Sequence, residues 1–450
     1  MTRSSPLPPS LFRRVVRGIG PGIIVACVVI GPGSILASSR VGCEFGYQLT
    51  WVVLGAGMLM AAAVATAARV GVELSATPCT EIARRLGRPF AALCGASVFG
   101  ITACFQFSNN QGVLAAIEPL APLGPTGQAA LLVGLNGALA GCLFLFKAFY
   151  PPLERIMMVL VALMLLGFVA NLALARPSPS KLAAGCIPSI PVEMGGRFLP
   201  YLEATPAGNS TPSGEAASSP AVVDRWLVVQ GLVATTFSIA GAFYQAYLVR
   251  EKGWGAAQLR QGLVDSAVGS AILVGISATI MATSAAVLAG RVAPHELRSA
   301  ADVARQLEPL FGSAATWLFC LGVFAGAASS FLVNSVIGGT MFADGLGLDP
   351  RLDSPWTKAF TIAVLSLGMF VAIKVQPADR VGLIVFAQAL TALGGPALAF
   401  ALVYLGWNCR KTRTHAASQL AFGLTIIGAG VITIMAVRTL WRLGLSLGAG

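Results

Sequence analysis

The sequence predicts an all-α integral membrane protein with about eleven transmembrane helices. Three observations predict it: 56% of the 450 residues are hydrophobic, only 11% are charged, and the mean hydropathy is +0.78, well above what a soluble domain needs to fill its core. A membrane-crossing helix needs about 20 predominantly apolar residues. Stretches of that kind fall at 14–39, 47–70, 89–117, 126–147, 152–175, 225–250, 262–290, 310–345, 357–375, 380–407 and 417–441. They are numbered here as spans 1 to 11, and they leave no room for a large soluble domain.

Taken in order, the chain opens with the basic, Pro-rich MTRSSPLPPSLFRR. It reads as a cytoplasmic tail over 1–13, because no compact small-residue cleavage site follows before the next loop. Spans 1 to 5 occupy 14–175. Between them and span 6 lies the longest polar segment, 176–224, whose Pro, Gly and Ser content in ATPAGNSTPSGEAASSP predicts a flexible extracytoplasmic loop, an insertion rather than a site. Spans 6 to 10 occupy 225–407, and 408–450 adds an eleventh helix. Before span 8, APHELRSAADVARQLEPLFG has apolar residues at helical spacing and predicts a short surface helix.

The net charge of +12 and pI near 9.6 do not point to nucleic acid, because Lys and Arg fall between the apolar runs and not in one block. Arg3, Arg13, Arg14, Arg17, Arg84, Arg85, Arg88, Arg250, Lys252, Arg410, Lys411 and Arg413 fall on one side if every run spans, against Arg291, Arg298, Arg305, Arg438 and Arg442 on the other, a moderate bias. The positive-inside bias then puts the N-terminus in the cytoplasm and the protein in an inner or plasma membrane, in contact with membrane lipid. Nine single cysteines without a CxxC pair indicate neither a disulfide framework nor a zinc site. No catalytic cluster, phosphate-binding loop or cofactor motif is present, so an enzyme is not expected.

Two spans are interrupted. Span 1 contains VVIGPGSILASS, in which Gly31, Pro32 and Gly33 remove helical hydrogen bonds where lipid supplies no water. Span 6 contains FSIAGAFYQAYLVREKG, in which Gly241 and Ala242 precede a polar and aromatic cluster. Unsatisfied backbone persists at membrane depth only when buried in protein or lining a wet cavity. An interrupted first helix in each of two five-helix halves predicts an inverted-repeat secondary transporter with a substrate site between the breaks.

These residues resemble the natural-resistance-associated macrophage protein (Nramp) family of divalent-metal transporters. IGPGSILASSRVGCEFGYQLTW resembles its first-helix region, LVDSAVGSAILV the start of its seventh helix, GVFAGAASSFLVNSVIGGTMFADG its eighth, and FAQALTALGGPALAFAL its tenth. The resemblance implies a LeuT-like inverted five-plus-five helix repeat with helices 1 and 6 broken. It also implies alternating access and a divalent metal cation as substrate class. The departures fall at the site. The family's DPGN motif reads Gly31-Pro32-Gly33-Ser34, so its metal-binding aspartate is glycine. Its Met-Pro-His triplet in helix 6, aligned on the following QAYL, reads Ala242-Phe243-Tyr244. In helix 3, where the family carries acidic residues for proton transfer, Asn109 and Gly112 stand.

The expected site therefore comprises Gly31, Pro32, Gly33, Ser34, Gly241, Ala242, Phe243, Tyr244, Gln245 and Gln388, with Asn109 and Asn110 along the pathway. Tyr244, Tyr247, Gln245 and Gln388 serve equally well as interhelical hydrogen-bonding groups. Asp265 is expected as an interfacial anchor near Arg260. A site without carboxylate, thioether or imidazole is poor for transition metals and offers no proton relay. Three readings stay open on the residues: a hydrated hard cation such as Mg²⁺, a small anionic or zwitterionic solute drawn to helix N-termini, or a non-transporting sensor or scaffold.

Overall fold

The computed structural model describes residues 29–145, 150–195, 197–203, 221–293, 296–297, 302–304, 312–374 and 380–448. The start of span 1, the ATPAGNSTPSGEAASSP segment and most of the expected surface helix before span 8 lie outside the described residues. What is described is helical almost throughout, and the helices follow the apolar runs closely.

The second half of span 1 is α1 (Pro32–Phe45), span 2 is α2 (Thr50–Glu73), and a short amphipathic helix α3 (Pro78–Leu86) leads into span 3, α4 (Arg88–Ile117). Spans 4 and 5 are α5 (Pro125–Leu145) and α6 (Tyr150–Ala175). Span 6 is split into α8 (Leu227–Thr236) and α9 (Ile239–Glu251), with a short α7 (Pro179–Ala184) before it. Spans 7 to 11 are α10 (Leu259–Val287), α11 (Ser313–Leu346), α12 (Pro355–Lys374), α13 (Arg380–Trp407) and α14 (Ala416–Gly448). Helix ends fall where the backbone chemistry requires them. Pro occupies the first turn of α1, α3, α4 and α7, where its missing N–H is no loss, and α11 stops at Gly347 in the left-handed region (φ 84°).

Among the described residues, seven helices are long and apolar enough to cross a membrane. Shorter apolar pieces, Ala162–Ala175 and Leu393–Trp407, belong to α6 and α13. Helix α11 is the central post, packed against α4, α6 and α12, while α1 and α2 both pack on α10. Small residues permit the closest crossings. A β-carbon on Gly95 would lie 2.8 Å from the Met341 carbonyl, and one on Gly345 2.7 Å from the Ala91 carbonyl, so α4 and α11 touch backbone to backbone.

The described parts of the 176–224 segment include regular structure. Strands β1 (Tyr201–Glu203) and β2 (Ala221–Val223) pair antiparallel, with Leu202 opposite Val222. Buried Arg438 of α14 holds this hairpin: its guanidinium donates to Asp224, to Gln230 Oε1 (2.7 Å) and to the Phe198 carbonyl (2.8 Å). Asp265, expected as an interfacial anchor, is a buried side chain near the start of α10.

Candidate functional site at the helix breaks

The span-1 break is built by three residues. Gly31 lies extended (φ −130°, ψ −179°) immediately before α1, and Pro32 follows with a φ suited to helix entry. Ser34 then closes the turn: its hydroxyl donates to the Gly31 carbonyl (2.7 Å) and accepts from the Gly31 N–H (3.0 Å). That carbonyl also accepts from the N–H groups of Ser34 and Ile35. The polar groups of Gly31 freed by the break are thus satisfied locally, and Ser34 acts first as a cap.

The space beside Gly31 is tight. A β-carbon there would lie 3.1 Å from Asn109 Oδ1 on α4 and 3.1 Å from Ser330 Oγ on α11. Asn109 donates to Gln106 Oε1 (3.1 Å), and Gln106 donates to the Phe331 carbonyl (2.6 Å). Asn110 donates to the Gln106 carbonyl (2.8 Å) and accepts from Asn136 of α5 (2.9 Å). All four of these amide side chains are buried. A chain of neutral amides therefore runs from α5 through α4 to the break. Amides donate and accept hydrogen bonds but do not ionise at ordinary pH.

One turn beyond Asn109, a β-carbon on Gly112 would lie 1.9 Å from Pro32 Cγ. Gly112 is therefore the contact point between α4 and the head of α1, and no acidic side chain fits there without separating the two helices.

The second break lies earlier than the sequence reading placed it. Helix α8 ends at Thr236 and α9 starts at Ile239, so the interruption is Phe237-Ser238, not Gly241-Ala242. The reason is a cap. The Ser238 hydroxyl accepts from the Gly241 N–H (3.3 Å), which draws Gly241 into the first turn of α9. Gly241, Ala242, Phe243, Tyr244 and Gln245 are accordingly buried helical residues beyond the break. Beside the break a small cavity of about 30 Å³, lined in part by Ser238, Ile239 and Thr391, has room for about two waters.

Tyr244 and Tyr247 belong to a different place. Their rings stack 5.7 Å apart, and they line a cavity of about 190 Å³ with Thr77, Thr340, Arg250 and Glu251. The Tyr247 hydroxyl donates to buried Asp344 (2.7 Å), whose carboxylate also accepts from Thr77 Oγ1 (2.7 Å), Thr80 Oγ1 (2.6 Å) and the Cys79 N–H (3.1 Å). Asp344 of α11 thereby caps α3 and ties α9 to it. Gln245 donates to Ser266 Oγ of α10 (3.3 Å), the interhelical role that was one of its two readings. Position 388 falls within α13, but the Gln388 side chain lies outside the described residues. Sequence reasoning missed Gln106, Ser330, Phe237, Ser238 and Asp344. Among the described residues no group of three or more His, Cys, Asp or Glu side chains could hold a metal ion.

Two apolar spans, each interrupted by a capped break and packed in one helical bundle, define the class: a membrane transporter of the LeuT-like kind. Solved structures agree on the fold. A manganese transporter of Eremococcus coleocola, in complex with an aromatic bis-isothiourea substituted compound, superposes with TM-score 0.71 at 15% identity, covering 100% of this chain and 97% of that one. MhsT in complex with L-phenylalanine superposes with TM-score 0.55 at 15% identity, covering 94% and 97%. In sequence, the divalent metal cation transporter MntH of Deinococcus radiodurans is 24% identical over 442 residues, 97% of this chain and 92% of the relative. MntH of Klebsiella pneumoniae (strain 342) is 25% identical over 392 residues, 86% and 84%. The family model described as natural resistance-associated macrophage protein-like matches residues 22–442. The chain belongs to the Nramp family.

Proposed function

We propose that this chain is a secondary transporter working by alternating access at a site between the Gly31–Ser34 break and the Phe237-Ser238 break. Residues 14–175 and 225–407 are then the two inverted repeats, with 1–13 cytoplasmic, 176–224 extracytoplasmic and 408–450 an added helix. The MntH and manganese-transporter relatives make a divalent metal cation the substrate class by resemblance. The site's chemistry argues that this chain has moved away from transition metals and from proton coupling by this route.

One observation carries that reading: the position of the family's aspartate is glycine, and the groups 3.1 Å from where a β-carbon would lie are the neutral Asn109 Oδ1 and Ser330 Oγ. Stripping water from a divalent cation is costly unless anionic ligands replace it. Transition metals further favour thioether or imidazole. If the family's Met-Pro-His triplet sits at the observed break, it reads Phe237-Ser238-Ile239; aligned on QAYL, it reads Ala242-Phe243-Tyr244. Neither version supplies sulfur or imidazole, so the conclusion stands under both. The amide chain of Asn136, Asn110, Gln106 and Asn109 likewise replaces ionisable side chains with groups that hold a proton permanently.

A second reading is favoured by the caps. The N-termini of α1 and α9 both end in neutral residues, Gly31 with Ser34 and Ser238. Their partial positive charge is unopposed there, which suits a carboxylate or a zwitterion. Purified protein in liposomes, offered Mn²⁺, Mg²⁺ and a panel of small organic anions, separates the readings. Saturable Mg²⁺ flux without Mn²⁺ flux supports the first, anion flux alone supports the second, and no flux of any solute supports a sensor or scaffold.

A further inference from the structure

The cavity of about 190 Å³ beside Tyr244 and Tyr247 holds several waters, and its walls change character with depth. Its rim is charged and reaches the surface: Glu251 is exposed, and Arg351, paired with Asp349, has a side chain 72% exposed. Arg250 at the same rim donates to the Leu74 and Ser75 carbonyls. The deep end is buried and carries hydroxyls, those of Tyr244, Tyr247 and Thr340. Thr340 Oγ1 is buried with no hydrogen-bond partner among the described residues, a group that water or a polar solute would satisfy. Walls of hydroxyl, guanidinium and carboxylate, with neither sign of charge in command, suit polar solutes in passage better than one fitted ion.

The two helices that form the deep end lead to the two breaks. Tyr244 is six residues along α9 from Ser238, and Thr340 is ten residues along α11 from Ser330, about 9 Å and about 15 Å at 1.5 Å per residue. Ser330 is the α11 residue that faces Gly31. The rim lies at the end of α9 that carries Arg250 and Lys252, the cytoplasmic end in the orientation proposed above. Behind the cavity the rings are fixed in series. Asp344 accepts from the Tyr247 hydroxyl (2.7 Å), and the Tyr244 ring stacks on that of Tyr247 with 20° between their planes.

We infer that the Tyr244 ring is a gate between the breaks and this cavity, which is the vestibule through which solute passes to or from the cytoplasm, with Tyr247 and Asp344 as positioning residues. The inference rests on the alternating-access reading and names the residues that close one side of its site. Tyr244 is buried, so the gate is closed in this structure. A ring of this kind opens by a change of side-chain rotamer, and α9 need not unwind. Tyr244, expected from the sequence to bind the solute, thus acts at the exit from the site.

Thiol accessibility in the full-length protein provides the test. Ser330→Cys puts a thiol beside Gly31 and Thr340→Cys puts one in the vestibule. A membrane-impermeant cationic methanethiosulfonate is applied to inside-out and to right-side-out membrane vesicles, and modification at positions 330 and 340 is followed by mass spectrometry, apart from that of the native cysteines. Position 340 should react about tenfold faster in inside-out vesicles. Position 330 should react slowly there, about tenfold faster once Tyr244→Ala is added, and slowly again with Tyr244→Phe, because the ring closes the path and the hydroxyl does not. A rate at 330 that ignores Tyr244→Ala, or a rate at 340 no faster from the inside, would overturn the gate. The result at 340 needs no change at Tyr244 and stands even where Tyr244→Ala does not fold. These rates need no transported solute, so failure of the transport reading, seen as absence of flux in liposomes, is a separate result.

Discussion

Alanine at Gly112 tests how tightly the span-1 break is held. Its β-carbon would lie 1.9 Å from Pro32 Cγ and 2.5 Å from Pro32 Cβ, whereas ordinary contact begins at 3.4 Å. The head of α1 and helix α4 would have to part by roughly 1.5 Å, the difference between 3.4 and 1.9 Å. The proline ring is locked to its backbone and has no rotamer to turn into, so the strain falls on the helices. Overpacking of this kind costs about 1–3 kcal/mol, and a ring-to-backbone clash belongs at the top of that range. Alanine in place of a helical glycine contributes about 1 kcal/mol in the opposite direction. The expected net loss is therefore about 1–2 kcal/mol. Gly55→Ala, in α2 with open space around the new β-carbon, is the matched control and should stabilise by up to ~1 kcal/mol. Thermal unfolding of both variants in detergent, paired with solute flux in liposomes, provides the readout. Gly112→Ala should unfold at lower temperature and transport more slowly. Equal stability of the two alanine variants would refute the Pro32 contact and, with it, the placement of the break.

Other perturbations address the caps and ties. Ser34→Ala removes both hydrogen bonds that close Gly31 onto α1 and should cost about 1 kcal/mol, read as a lower unfolding temperature; Ser34→Thr should recover most of it. Tyr247→Phe deletes one of the hydrogen bonds to the Asp344 carboxylate and should cost about 1.5–3 kcal/mol, measured by thermal unfolding or by faster hydrogen exchange in α3. Breaking the buried Asp224–Arg438 pair by Arg438→Met leaves Asp224 without its main partner and should cost about 3–5 kcal/mol. Pairing it with Asp224→Leu should recover most of that loss in a double-mutant cycle.

The helices were legible because lipid imposes long apolar runs, and each described span lies close to its run. The first break was legible for a local reason: Gly31 and Pro32 are poor helix formers in an apolar setting, and Pro at the first helical position is a start signal. The second break is harder to place from sequence because the interruption, Phe237-Ser238, contains no Gly or Pro, while Gly241 lies three residues beyond it in the first turn of α9. Its signal was an N-cap serine inside an apolar run, a weak mark where polar residues also serve as interhelical bonds. The neighbourhood of Gly31 depends on residues from α4 and α11 that lie far apart in sequence, so Asn109 facing Ser330 across a missing side chain could be seen only in three dimensions. Asp344 was hidden likewise: its partners come from α9 and from the residues around the start of α3.

The proposed function requires that a break with Gly31 in the aspartate's position does not handle a transition metal by proton coupling. It is tested most directly by Mn²⁺ uptake into liposomes containing the purified protein, measured with and without an imposed inward proton gradient. No saturable Mn²⁺ uptake and no response to the gradient are expected. Saturable uptake that rises with the proton gradient would contradict it.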